Sequence, residues 1–362
     1  MRRWAQIPAV VAAGWALAAF AQQTEYPSEL YETSNALGSM EYRVYAPPGL
    51  QGQVPLFVHI HGGNIDTADV QNQSRLNELA HERGFVVVYP QEDPRHGAGI
   101  WDHEAAARDG RDGRSTSLIA QITREVMQMY PIDPRRVFVG GISAGSGMSI
   151  VMGAQYPELY SGVQAEGGDR YGTPFQDENE SGRLIFEAMG SRARRMPMML
   201  SIGTLDPFGL TTNTNSVARH WLIAHDWMDD GAANGSIALT PATTRSGRDG
   251  KNYSVDSYVD AQGCVLVERW LIQGMFHAYA GGAPAAIYDI TTDPNAPNMR
   301  EVAYDFFLDQ TEPGGPSGCS KSAVPTASGG GSIDVAVLAL GLLLALRTAV
   351  GIVRQRAGAW GR

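Results

Sequence analysis

Cysteine is, with lysine, the scarcest residue of this 362-residue chain, with two copies, Cys264 and Cys319. Two thiols with no histidine pattern beside them cannot furnish a metal centre, and neither a metal nor an organic cofactor is expected. Positive charge is also short: 28 Lys and Arg face 38 Asp and Glu, for a net charge of −10. Six of those cations (Arg2, Arg3, Arg347, Arg354, Arg356 and Arg362) lie at the two ends with a single anion, Asp334. The middle therefore carries 37 anions against 22 cations. That balance argues against nucleic acid or another polyanion as a partner. Long apolar runs are missing as well. The stretch Ile333 to Leu346 is 14 residues long, where a membrane-spanning helix needs about 20, unless Thr348 to Val353 extends it. No internal repeat and no second globular domain is visible.

What is present is enough hydrophobic residue, 43%, to bury a sizeable core. Glu41 to Tyr45 alternates like a half-exposed strand, and Leu56 to Ile60 and Phe85 to Tyr89 read as buried strands on either side of a helical stretch, Asp69 to Arg83. Ser117 to Tyr130 is helical by its spacing of Leu118, Ile122, Val126 and Met129. Strands are expected at Arg136 to Val139, Gly162 to Ala165, Met198 to Ile202 and Val265 to Ile272. Helices are expected at Ala144 to Gln155, Thr214 to Met228 and from about Asn298 to Leu308. Such alternation implies an α/β fold, a mostly parallel twisted sheet with helices on both faces.

Between two of these elements stands Gly141-Ile142-Ser143-Ala144-Gly145. The pattern fits the nucleophile elbow of α/β-hydrolases, where a serine sits on a tight strand-to-helix turn. A serine nucleophile needs a base, and in this fold the order along the chain is Ser, acid, His. His220 and His225 lie within a helical stretch rich in Trp and Ala and read as packing or surface residues. His277 follows the strand Val265 to Ile272 and is the candidate base. Asp206, in Gly203-Thr204-Leu205-Asp206-Pro207, is the candidate acid; Asp226, Asp229 and Asp230, in or after a helix, suit the role less well.

With these parts assembled, the chain from about Ser39 to Leu308 resembles the polyhydroxybutyrate depolymerase/feruloyl esterase family of secreted α/β-hydrolases. The resemblance rests on His61-Gly62-Gly63, Gly84 to Gln91, Trp101-Asp102, Tyr130 to Gly145, Gly203 to Asp206, Gly274 to His277 and Tyr304 to Phe307. It implies hydrolysis of carboxylic esters through Ser143, His277 and Asp206, with the N–H groups of Gly63 and Ala144 as the oxyanion hole. Trp101 is expected to wall an acyl or aromatic group, with a core tryptophan as the alternative. Two departures stand out. Gly63 and Ile100 replace a pair of cysteines that members often carry, and Phe276 stands where the family usually has a small residue. No carbohydrate- or polymer-binding module is expected after the catalytic domain, which favours soluble esters or short oligomers over crystalline polymer. The expected substrate is a polyhydroxyalkanoate or hydroxybutyrate oligomer or polymer. The alternatives are a feruloyl or acetylxylan esterase on plant polysaccharide, a serine peptidase, and a non-catalytic surface binding protein.

Both ends read as addresses. Met1 to Trp4 is basic, Ile7 to Phe20 is apolar, and Ala19-Phe20-Ala21 offers a cleavage site, so 1–21 reads as a secretory signal peptide. Residues 22–312 are the catalytic domain, 313–332 a Gly/Pro/Ser-rich linker, and 333–362 an apolar segment ending in arginines. The tail resembles a glycine-glycine sorting signal, which implies cleavage by a rhomboid-type membrane protease after passage through the secretion machinery; a permanent anchor is the alternative. In an exported chain the even pair predicts one disulfide, Cys264 to Cys319, against the alternative of two unpaired thiols.

Overall fold

The structure is a computed structural model and describes residues 26–95, 99–168, 170–172, 177–208, 214–284 and 291–311. All of them fall within the unit Met1–Ser322, and the second unit, Ala323–Arg362, contains no described residue. The expected signal peptide, the linker, the apolar tail and Cys319 lie outside the described residues.

The centre of the molecule is built from strands whose every residue is buried: β3 (Val54–Ile60), β4 (Val86–Pro90), β6 (Gly162–Glu166) and β7 (Met198–Gly203). Between β3 and β6 runs β5 (Ile132–Ile142), and beside β7 runs β10 (Val265–Ile272). These six strands are parallel. A parallel sheet is covered on both faces, which is why its strands read as near-continuous Val, Ile, Leu and Phe runs. At one edge β1 (Glu29–Asn35) and β2 (Gly38–Tyr45) are antiparallel; at the other, β9 (Lys251–Val259) and β8 (Thr243–Asp249) are antiparallel too. The complete order is β1-β2-β4-β3-β5-β6-β7-β10-β9-β8.

Successive side chains along a strand point to opposite faces, and the core divides accordingly. Val58, Val88, Val139 and Val163 pack with Leu118, Met148 and Trp221, from α4 (Arg114–Met129), α5 (Ala144–Gln155) and α7 (Thr214–Asp230). Phe57, Val87 and Phe138 pack on the opposite side with Leu79 and Phe307, from α2 (Leu76–Arg83) and α8 (Met299–Thr311). Phe138 and Phe307 stack with ring centroids 5.1 Å apart. Removing one such ring would cost about 3–5 kcal/mol. The result is an α/β-hydrolase fold.

The helix expected over Asp69 to Arg83 is two helices, α1 (Thr67–Ser74) and α2. Arg75 between them takes a left-handed conformation, φ 54°. Its guanidinium pairs with Glu78 at 2.6 Å, and the Ser74 hydroxyl accepts the N–H of Leu76. Two further helices, α3 (His103–Asp109) and α6 (Glu178–Met189), were not expected. Cys264 is buried and disulfide-bonded.

Candidate active site

The carboxyl ends of the parallel strands carry the site, as in open α/β sheets generally. β5 ends at Ile142 and α5 begins at Ala144, leaving Ser143 alone on the turn with φ 57° and ψ −126°. Its N–H donates to the Glu166 carbonyl at 2.9 Å, and its own carbonyl accepts from Ser146 and Gly147 at the start of α5. The flanking glycines are steric requirements. A Cβ on Gly141 would collide with the Ile60 carbonyl, and one on Gly145 with the carbonyls of both Ile60 and His61. β3 therefore passes directly beside the elbow and delivers His61-Gly62-Gly63 to it. Gly62 packs against Ile142, and a Cβ on Gly63 would lie 3.1 Å from Ile100. Ala144 opens a helix, and first-turn N–H groups have no acceptor within their own helix.

The turn bearing Gly63 is held by a residue that sequence reasoning treated only as part of a motif. His61 is fully buried and its Nδ1 lies 2.6 Å from the Gly62 carbonyl, while Nε2 accepts the N–H of Glu92 at 3.0 Å. That pair of bonds assigns the neutral tautomer, with the proton on Nδ1. Burial pushes the imidazole down to about 4, consistent with a fixed, uncharged clamp. Trp101 packs on it with ring centroids 5.0 Å apart. This corrects the expectation of a substrate-facing wall. Trp101 is only 2% exposed, so the indole lies behind the clamp in the core.

Asp206 and His277 arrive on separate loops that are laced together. Thr204 N–H donates to the Ile272 carbonyl at 2.9 Å, Leu205 N–H to Met275 at 3.0 Å, and Gly274 N–H to the Thr204 hydroxyl at 2.9 Å. Asp206 is buried; its Oδ1 accepts the N–H of Phe208, and its Oδ2 stands 2.7 Å from His277 Nδ1. A carboxylate there places the proton on Nδ1 and leaves Nε2 as the basic nitrogen. Gly167, next after the Glu166 that accepts from Ser143, lies where a Cβ would come within 3.0 Å of the His277 ring. The imidazole thus sits beside the elbow, although among the described residues no hydrogen bond joins it to the Ser143 hydroxyl. Such links are often long without substrate and tighten when it binds.

The other late histidines are structural. His220 contacts the Ser216 hydroxyl at 3.1 Å, and His225 bridges the Met196 N–H and the Trp221 carbonyl. Both are buried, and burial pushes each down to about 4. Phe208, whose ring meets His277 edge-on at 4.8 Å, was not singled out from the sequence. Nothing in a pattern of residue types marks an aromatic two positions past an aspartate.

Fold and strand-end geometry together define an α/β-hydrolase. The family described as Esterase PHB depolymerase matches residues 40–206. Probable acetylxylan esterase A of Aspergillus niger is 30% identical over 222 residues, which cover 55% of this chain and 72% of that protein. Poly(3-hydroxyalkanoate) depolymerase C of Paucimonas lemoignei is 31% identical over 135 residues. That match takes in 37% of this chain and 32% of the relative, so the chain spans about a third of that protein's length. Among solved structures, the acetyl xylan esterase from Aspergillus awamori shares the fold, with a TM-score of 0.57 at 20% identity, covering 77% of this chain and 99% of that one. The chain belongs to the Esterase PHB depolymerase family.

Proposed function

We propose that this protein is an exported serine esterase whose catalytic triad is Ser143, His277 and Asp206. The observation that carries the reading is the 2.7 Å Asp206–His277 pair, held on laced loops beside a serine of positive φ. Ser143 Oγ attacks the ester carbonyl while His277 Nε2 takes its proton, and Asp206 stabilises the imidazolium that forms. The N–H groups of Ala144 and Gly63 receive the oxyanion, each donor contributing about 3 kcal/mol. His277 then protonates the departing alkoxide. A water molecule deprotonated by the same nitrogen releases the acid from Ser143.

The substrate we favour is a hydroxyalkanoate oligomer or polymer. Ile100, Leu205, Phe208 and Phe276 are 40%, 51%, 61% and 61% exposed, and they belong to the loops around Gly63, Asp206 and His277. They are four of the seven large apolar side chains exposed among the described residues, which makes an apolar rim suited to an aliphatic polyester. The second reading, an acetylxylan or feruloyl esterase, is favoured by the acetylxylan esterase of A. niger, 72% of whose length aligns. A hydrolysis panel of hydroxybutyrate oligomers, acetylated xylan and feruloylated saccharide separates them. Oligomer turnover at least tenfold above the others, abolished in Ser143→Ala, is expected; preference for acetylated xylan would sink the polyester assignment.

Residues 1–21 direct export, the Cys264–Cys319 disulfide forms outside the cytoplasm, and the segment 333–362 is a sorting tail cut near Ser328 to Ser332. Among the described residues no helix is long and apolar enough to cross a membrane. Mass spectrometry of protein from the native host, alkylated before and after reduction, tests all three points. The expected product starts near Gln22, ends in the glycine cluster and has both thiols blocked. An intact Arg362 on most molecules, or two freely alkylated cysteines, would overturn the corresponding part.

A further inference from the structure

Glu166 stands where the serine turn and the histidine loop meet. It is the last residue of β6, and its carbonyl is the acceptor for the N–H of Ser143. Its side chain, 4% exposed, accepts the N–H of Ala280 through Oε1 at 2.7 Å, three residues beyond His277. The next residue, Gly167, would press a Cβ to 3.0 Å from the His277 ring and 3.1 Å from Asp206 Oδ2. One residue is therefore bonded through its main chain to the candidate nucleophile and through its side chain to the loop of the candidate base.

The surroundings of that carboxyl are closed. It borders a cavity of about 10 Å³, room for one water molecule, together with His59 from β3, Gln164, Tyr279 from β11 (Tyr279–Ala280) and Arg300 from α8. His59 Nε2 lies 3.3 Å from the Tyr279 hydroxyl, and Arg300 Nη1 donates to the Gly281 and Ser74 carbonyls. We propose that Glu166 is a positioning residue for the reaction, its carboxyl locking the histidine loop to the serine turn and so fixing the path of the proton between Ser143 and His277. This role rests on the serine-esterase reading above.

Burial raises the Glu166 carboxyl to about 8, so it is neutral at pH 7. In that form its carbonyl oxygen still accepts from Ala280, while no second negative charge stands behind the Asp206–His277 pair.

Steady-state kinetics on a soluble ester, with melting temperatures, test the role in Glu166→Leu and Glu166→Gln. Leucine leaves the Ala280 N–H unpaired, and kcat should fall by about 30- to 100-fold with KM within about threefold. Glutamine keeps the shape and the acceptor. Its kcat should stay within about threefold of wild type. A folded Glu166→Leu with wild-type kcat overturns the proposal, as does a glutamine variant as impaired as the leucine one. If Glu166→Leu does not fold, Glu166→Ala is measured beside the glutamine variant: a kcat loss of the same size as expected for leucine, with KM within about threefold and glutamine near wild type, supports the role, and wild-type kcat in a folded alanine variant or a large loss in the glutamine variant overturns it. Ser143→Ala separates the two levels of inference: ester turnover surviving in that variant defeats the serine-esterase reading and this role with it.

Discussion

A serine at φ 57° occupies backbone space that costs a non-glycine residue about 1–3 kcal/mol. The main chain around Ser143 offsets that cost with one bond to β6 and two from the start of α5. The hydroxyl is thereby aimed by the backbone, not by its rotamer alone. Removing the side chain should leave the turn standing. Ser143→Ala and His277→Ala are each expected to keep their melting temperature within about 2 °C and to lose kcat by about 10⁴-fold or more. Asp206→Asn should cost nearly as much, because the amide would donate to Nδ1 and displace the proton to Nε2, the nitrogen that must be bare. Kinetics with thermal unfolding on the three variants check this, and near-normal turnover by folded His277→Ala would remove it from the mechanism. Trp101 shows the limit of residue type as a guide. A large aromatic near a site serves equally well as lining or as backing, and only its burial behind His61 assigns it to the second.

Elements were legible in proportion to how much apolar surface they bury. β3, β4, β6 and β7 are covered on both faces, so their sequences are apolar for most of their length, with polar residues such as His59, Gln164, Glu166 and Ser201 buried among them. β8, Thr243 to Asp249, has no buried residue and no apolar side chain, and a strand of that kind has no periodicity to read. α3 is short and buries only Ala106, so no apolar stripe announces it. The break at Arg75 was hidden for another reason: arginine is a good helix former, and propensity does not encode the left-handed conformation it takes there. The candidate site divides along the same line. Ser143, Asp206 and His277 stand in short motifs in a fixed chain order, which a sequence displays. His61 holds the N–H of Glu92, just after β4, and Glu166 holds the N–H of Ala280 in β11, adjacencies that exist only once the chain is folded.

Among the described residues, four histidines are buried and lowered to a neutral state: His59, His61, His220 and His225. Burial lowers them to about 3 for His59 and about 4 for the others, from 6.5. The unfolded chain therefore takes up protons first as the medium is acidified. Their contribution to stability is complete above pH 6.5 and is lost as pH falls toward 4, each group at up to about 1.4 kcal/mol per pH unit. Glu166, raised to about 8, works in the opposite sense and weakens the fold as pH rises from 4.5 to 8, but it is one group against four. Urea unfolding should thus show a midpoint that drops steeply between pH 6.5 and 4.5, with unfolding near pH 5 absorbing about three protons or more. A midpoint flat over that interval would show that these histidines are not held neutral. Among the described residues the ten-stranded sheet ends in two raw margins, β1 and β8, whose backbone groups could pair with a neighbouring chain. Both margins are studded with charge, Glu29 and Glu32 on one and Arg245, Arg248 and Asp249 on the other. A second copy extending the sheet would have to strand those groups away from water. Copies crowded together at high concentration can therefore sit side by side without zippering into fibres.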